Sequence, residues 1–179
     1  MLFLFHMAIP LIIFEIPYLK NRLEVNRLTI LIASLLPDII DKVFLFFGIG
    51  DGRFISHSLL FLVISVLLIF LVNKTLFLTS FSEKIKNSYS IALSFFIGIF
   101  IHLLLDLPNI PLFYPFIEYK KYYFFPYFGA AITSWITEFF SNPILISTEI
   151  AGLIILMFII IHNKLYSPKK IWQYFSKTQ

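Results

Sequence analysis

The fold of this chain is decided by a long apolar run, YSIALSFFIGIFIHLLLDL, at positions 89–107. A helix needs about 20 apolar residues to cross the roughly 30 Å of hydrocarbon in a bilayer, and this run has that length. His102 and Asp106 interrupt it near its end. An ionisable residue at membrane depth is costly unless it pairs, binds a metal or lines a wet cavity. The run therefore predicts a membrane helix that carries part of a functional site.

The whole chain has the composition of an integral membrane protein. Of its 179 residues, 59% are hydrophobic and 13% charged, and the mean hydropathy is +0.90, whereas soluble domains average about 25% charged residues. We expect one all-α integral membrane domain over residues 1–179, a polytopic helical bundle of about five transmembrane helices. The expected spans are the short segment 1–17 and the runs 28–50, 54–72, 89–107 and 143–161.

A stretch rich in proline and aromatic residues separates the last two of these runs. It predicts a short interfacial or re-entrant helix at 127–140, with a full sixth span as the alternative.

Basic residues predict the orientation, because cytoplasmic loops are enriched in Lys and Arg. Three basic groups fall on one side of a five-span bundle, namely the loop at 20–27, the loop at 74–86 and the tail at 163–179. We therefore expect a multi-pass protein of the plasma or inner membrane, with the N-terminus outside and the C-terminus cytoplasmic. The net charge of +4 then indicates contact with membrane lipids rather than with nucleic acid.

This topology places all the intramembrane polar groups at one depth. Residues scattered by chance along five helices would not share a leaflet, so we expect one assembled site in the outer half of the membrane. The groups are His6, the pair Asp38 and Asp41, the pair Arg53 and His57, and the pair His102 and Asp106.

Helical spacing puts the members of each pair on one face. His102 and Asp106, four residues apart, can hold one cation, or they can form a hydrogen-bonded bridge between helices. Asp38 and Asp41 repel each other unless a cation lies between them. The alternative for these two carboxylates is a helix-end cap and a salt bridge to Lys42.

Arg53 and His57 are the candidate catalytic residues. His57 offers a neutral imidazole as a ligand or general base, and Arg53 offers a planar fork for a phosphate or carboxylate. The alternative for Arg53 is an interfacial side chain that reaches to the headgroups.

The absence of cysteine confines any metal to His and carboxylate ligands. Imidazoles and carboxylates without sulfur suit Zn, Mn or Fe in a mono- or dinuclear site, and such a divalent metal promotes hydrolysis by activating water. His57 or a carboxylate would accept the proton, and Arg53 would stabilise the developing oxyanion. The candidate ligands are His6, Asp38, Asp41, His57, His102 and Asp106.

The leading hypothesis is a membrane-embedded hydrolase that acts on an ester or phosphoester of a small or lipid-like molecule. One alternative is a transporter of protons or metal ions that uses the same residues, although no internal repeat of the kind found in many transporters is visible. A second alternative is a noncatalytic protein whose polar groups hold its helices together. Glu138, Glu149 and His162 have no motif partner and lie outside the predicted site.

Three sequence blocks follow His6 in a characteristic order. They are LLPDIIDK at 35–42, GRFISHS at 52–58 and GIFIHLLLD at 98–106. Together they resemble the LexA-regulated, membrane-bound metal-dependent hydrolases (YdjM-like), and the resemblance covers residues 6–116. It implies a multi-helix inner- or plasma-membrane protein with a metal-dependent hydrolase site. The matching positions are His6, Asp38, Asp41, His57, His102 and Asp106.

The chain departs from the family pattern at two places. Its carboxylates are spaced Asp-x-x-Asp where Asp-x-Asp is common, and Lys42 stands where a His is often found. Both departures bear on the ligand role of Asp41 and on a dinuclear site.

Overall fold

The computed structural model describes residues 3–49, 53–77, 83–117 and 128–176, and within them all regular structure is helical. This confirms the predicted all-α class. Eight α-helices and one 3-10 turn, Ile55–His57, form these parts of the chain. The helices are α1 Phe3–Ile13, α2 Pro17–Arg22, α3 Arg27–Phe46, α4 Leu59–Phe77, α5 Glu83–Asp106, α6 Phe128–Ser141, α7 Pro143–His162 and α8 Pro168–Ser176.

Within the described parts of the chain, two helices, rather than about five, are long and apolar enough to cross a bilayer by themselves. They are α7 and the part of α5 from Tyr89 to Asp106. Helix α1 and the apolar part of α4, Leu59–Val72, are shorter than a full crossing. Helix α3 is long enough, with 20 residues, but four of these are charged, so its sequence is less apolar than that of a typical membrane-spanning helix.

The predicted short helix at 127–140 is present as α6, which has 14 residues. At about 1.5 Å per residue, a straight helix of this length falls short of the hydrocarbon thickness.

Helices α3 and α5 pack closely at Gly98. A Cβ at this position would lie 2.6 Å from the Cβ of Ala33 and 2.7 Å from the carbonyl oxygen of Ile30, so no larger side chain fits without a shift. Around this contact, Ala33, Ile99 and Leu103 form part of a buried apolar cluster. The close approach brings the polar residues one turn further along both helices to a common depth.

Helix α1 is held against α7 by two contacts. Gly152 faces the α1 backbone, and a Cβ there would lie 2.6 Å from the backbone nitrogen of Phe5. The Leu4 backbone N–H donates a 3.1 Å hydrogen bond to Oε2 of Glu149. A carboxylate at this end also complements the positive end of the helix dipole. Helix α7 therefore fixes the position of the helix that carries His6.

The C-terminal helix α8 is anchored by a polar network around Arg27. The guanidinium of Arg27 donates to Oε1 of Glu15 at 2.8 Å and lies 4.0 Å from the centre of the Tyr174 ring. The Tyr174 hydroxyl donates to the same Glu15 oxygen at 2.6 Å. Burial, together with this hydrogen bond to Glu15, raises the pKa of Tyr174. Arg27 and Glu15 are thus paired where α1, α3 and α8 meet.

Candidate metal centre

Three elements bring four predicted site residues together. Helix α3 contributes Asp38, the 3-10 turn contributes His57, and the last turn of α5 contributes His102 and Asp106. One ligand atom from each residue lies within 4.8 Å of the others, and all four residues are buried. These residues are called the four-residue cluster below.

The spacing within the cluster is that of ligands around one small cation. Nε2 of His57 lies 3.2 Å from Nε2 of His102, 3.3 Å from Oδ2 of Asp106 and 3.4 Å from Oδ1 of Asp38, and Nε2 of His102 lies 3.6 Å from Oδ2 of Asp106. Tetrahedral ligands about 2.0–2.1 Å from a metal are separated by about 3.3–3.4 Å. Charge-assisted N–H···O hydrogen bonds are usually shorter, about 2.7–2.9 Å. The distances therefore fit a metal better than a set of direct hydrogen bonds.

Asp41 fixes the orientation of the His57 ring from outside the cluster. Its Oδ2 lies 2.7 Å from Nδ1 of His57 and accepts a 2.5 Å hydrogen bond from the Phe54 backbone, while Oδ1 accepts from the Ser56 backbone at 3.3 Å. A carboxylate only accepts hydrogen bonds, so Nδ1 carries the ring proton. In the neutral ring, the lone pair is then on Nε2, which faces the four-residue cluster.

The ring of His102 is held in the same way by a backbone carbonyl. Its Nδ1 lies 2.6 Å from the carbonyl oxygen of Ser34, which is also an acceptor only. Its Nε2 lone pair therefore points at Nε2 of His57. Two lone pairs and two carboxylate oxygens that face one another in a buried space repel unless a cation lies between them. The tautomers favoured by Asp41 and Ser34 are thus those of metal-ligating imidazoles.

His6 lies at the edge of the cluster. Its Nε2 is 3.4 Å from Oδ1 of Asp106, the carboxylate oxygen other than the one nearest His57. The His6 ring packs against that of His102, with centroids 4.4 Å apart. His6 is fully buried, and the structure brings it together with the other predicted ligands through Asp106.

Two basic side chains flank the cluster. Nζ of Lys42 lies 3.8 Å from Oδ2 of Asp38, close to the rings of Phe3 at 4.1 Å and Trp135 at 5.8 Å. Arg53 is half-buried and lies four residues before His57, just ahead of the 3-10 turn. Asp38 therefore has a basic neighbour, and a second basic residue leads into the turn that carries His57.

Several residues that support the cluster carry no signal in the sequence. Ser34 acts through its backbone carbonyl, which any residue type would supply. The Ser56 hydroxyl donates to the Pro37 carbonyl at 2.7 Å and ties the 3-10 turn to α3. Glu149, left outside the predicted site, binds the start of α1 instead. Glu138 and His162 are exposed, as expected for residues outside the site.

Comparison with known proteins identifies a family model that matches most of the chain. The model of the family described as YdjM inner membrane protein matches residues 1–170. No curated protein and no solved structure shows a significant match.

Proposed function

Since the chain belongs to the YdjM inner membrane protein family, we propose that it is a membrane-embedded, metal-dependent hydrolase. The observation that carries the proposal is the convergence of two imidazole nitrogens and two carboxylate oxygens at metal-ligand spacing, with both outer ring nitrogens already engaged. Asp38, His57, His102 and Asp106 would hold a divalent Zn, Mn or Fe ion. When bound, such an ion lowers the pKa of water and polarises a carbonyl or phosphoryl oxygen.

Asp41 and His6 are assigned supporting roles in this proposal. Asp41 orients His57, as carboxylates do for metal-bound imidazoles in many proteins. Nε2 of His6 lies 3.4 Å from the outer oxygen of Asp106 and would set the rotation of that carboxylate. The sequence placed both residues among the ligands, and the Zn²⁺ titration of Asp41→Asn described in the Discussion separates the two roles for Asp41.

The proton acceptor is a carboxylate in this proposal rather than His57. One nitrogen of His57 faces Asp41 and the other faces the cluster, so the ring has no nitrogen left to take a proton from water. Oδ2 of Asp38 is buried and makes no hydrogen bond within the described residues, with Lys42 3.8 Å away. It is the candidate base. Arg53, four residues before His57, would stabilise the oxyanion that forms on the substrate.

The substrate would be a lipid-like ester or phosphoester. The cluster is buried, yet α3 exposes large apolar side chains close to it, including Ile39 and Val43. Exposed apolar helix faces are expected where a protein meets lipid. A molecule dissolved in the bilayer could therefore reach the cluster without crossing water.

Metal content measured by elemental analysis of detergent-purified protein is the first test. We expect close to one equivalent of Zn, Mn or Fe in the wild type, its loss in Asp38→Asn and His102→Gln, and its retention in the matched control His162→Gln, which changes an exposed histidine. A folded, metal-supplemented wild type without metal would overturn the proposal.

Activity is the second test. The metal-loaded protein should hydrolyse chromogenic carboxyl or phosphate esters, and Asp38→Asn should not. Metal-loaded protein that hydrolyses neither class but moves metal ions or protons into proteoliposomes would replace hydrolysis with transport.

We further propose that α1, α3 and α4 cross the membrane as parts of the bundle, with the N-terminus outside and the C-terminus cytoplasmic. The natural absence of cysteine makes the test direct, because a single introduced cysteine is the only thiol. Asn109→Cys and Lys169→Cys replace exposed residues on opposite proposed sides. A membrane-impermeant maleimide added to intact cells should label only the first. Labelling of the second alone would reverse the topology, and labelling of both would place both sites outside.

A further inference from the structure

The distribution of charge around the four-residue cluster indicates which class of ester fits there, if the proposed hydrolase function holds. Lys42 lies one turn beyond Asp38 on α3, and its side chain is 28% exposed where that of Asp38 is 6% exposed. Arg53 is also half-buried, whereas the Asp106 side chain is buried. The basic groups therefore stand at the rim and the carboxylates lie beneath them.

The charge balance of the loaded site favours an anionic ligand. The three carboxylates of Asp38, Asp41 and Asp106 exceed the two cations of Lys42 and Arg53 by one charge, and the metal-ligating imidazoles are neutral. A divalent metal converts this single negative charge into a single positive one. An uncompensated charge in a buried site is unfavourable, so the loaded site favours an anion over a neutral ester.

An apolar surface begins beside the same lysine. Ile39, Val43 and Phe46 follow one another along α3 at helical spacing, and they are 48%, 49% and 63% exposed. Lys42 lies between them in sequence and on the same side of the helix. The rings of Phe3 and Trp135 flank its ammonium group. A cationic rim continuous with an apolar stripe matches an amphiphile that has an anionic head.

We propose that the substrate is an anionic phosphoester amphiphile, with its phosphate bound by Lys42 and Arg53 and its hydrocarbon chain lying along Ile39, Val43 and Phe46. In the reaction, a water oxygen forms the new bond to phosphorus and the bond from phosphorus to the alcohol oxygen breaks. The proton that water loses ends on the departing alcohol. Lys42 acts as a specificity-determining residue in this assignment.

Binding of a non-hydrolysable probe tests the inference without relying on turnover. The probe is dodecylphosphonate, and dodecanol is the neutral compound of the same chain length. Affinities for the Zn²⁺-loaded protein in a neutral maltoside detergent are measured by calorimetry. The variants are Lys42→Gln and Arg53→Gln, with Lys42→Arg as the charge-conserving variant and Lys170→Gln as a matched change of an exposed lysine on α8.

We expect dodecylphosphonate to bind more tightly than dodecanol, and its affinity to fall by about ten- to a hundredfold in Lys42→Gln and Arg53→Gln, the effect of losing a hydrogen bond to a charged group. Lys42→Arg, which keeps the charge, should lose less affinity than Lys42→Gln, and Lys170→Gln should retain the wild-type affinity. Zn²⁺ content is measured in every variant, so that a lost metal is recognised separately.

Equal binding of the two probes, or phosphonate binding that neither substitution weakens, would overturn the anionic substrate class while leaving the metal site intact. A wild type that takes up no metal would instead refute the proposed function on which the inference rests.

Discussion

Replacing Asp41 with asparagine tests whether this residue orients His57 or binds the metal itself. The Phe54 and Ser56 backbone N–H groups donate to different oxygens of Asp41, Oδ2 and Oδ1, and an asparagine offers one oxygen for both. An asparagine whose oxygen takes the place of Oδ2 keeps its contacts with Phe54 and with Nδ1 of His57, and its NH₂ group then faces the Ser56 N–H. The negative charge beside Nδ1 is lost in this variant, and with it the charge-assisted hydrogen bond that orients His57 and makes Nε2 a better metal ligand.

The expected magnitude follows from the loss of this carboxylate partner. Loss of an outer carboxylate partner of a metal-bound histidine typically weakens metal binding by about 10- to 100-fold. This range corresponds to about 1.4–2.7 kcal/mol. Asp38→Asn, which removes a proposed ligand, should cost much more and leave no stoichiometric metal.

The assay is a competition titration of Zn²⁺ between the purified protein and a fluorescent chelator, with circular dichroism as a check that each variant is folded. Glu138→Gln, a change at an exposed acidic residue on α6, is the control and should bind Zn²⁺ as the wild type does. Unchanged affinity in Asp41→Asn would refute the orienting role. A loss as complete as in Asp38→Asn would make Asp41 a ligand.

Three further outcomes are expected. Gly98→Ala should destabilise the protein by about 1–3 kcal/mol in thermal unfolding, because its Cβ would lie 2.6 Å from that of Ala33; an unchanged melting temperature would mean that α3 and α5 separate easily. Removal of metal by a chelator should lower stability by about 2.7 kcal/mol relative to protein held at a metal concentration of about 100 times Kd, and equal stability with and without metal would contradict binding to the folded state. The anchoring of α8 should be constant below about pH 10 and weaken above it. The pKa of Tyr174 is raised in the folded state, so above about pH 10 the undocked or unfolded form loses the hydroxyl proton first. Deprotonation then favours the undocked form. Protease cleavage near α8 monitors this anchoring, and Tyr174→Phe should abolish its pH dependence.

The sequence predicts the helical class and the pairing of His102 with Asp106, because both depend on local spacing along the chain. The separation of His102 and Asp106 is enough to place both side chains on one face of α5, whatever else packs around them. The long runs of α5 and α7 likewise need no tertiary information. Fewer described helices than predicted runs are long and apolar enough to cross by themselves, because runs such as 28–50 extend past the residue at which the helix ends, Phe46 in α3.

Spacing says much less about which atom faces which neighbour. Asp38 and Asp41 share a face of α3, yet one points into the cluster and the other at the far nitrogen of His57. That difference arises from the fold of the 3-10 turn around Asp41. The contribution of Ser34 is invisible in the sequence, because it comes from a backbone carbonyl.

The attachment of α1 to α7 has a consequence for how the protein is made. The hydrogen bond that holds the start of α1 joins residues 145 positions apart, so the partner, Glu149, is synthesised much later. At about 5–20 residues per second, α1 emerges from the ribosome about 7–30 s before the helix that fixes it. By the end of that interval the other five predicted ligands have joined the chain, while the helix that carries His6 still lacks its contacts with α7. A nascent chain arrested before α7 would therefore contain every predicted ligand and still lack the finished site.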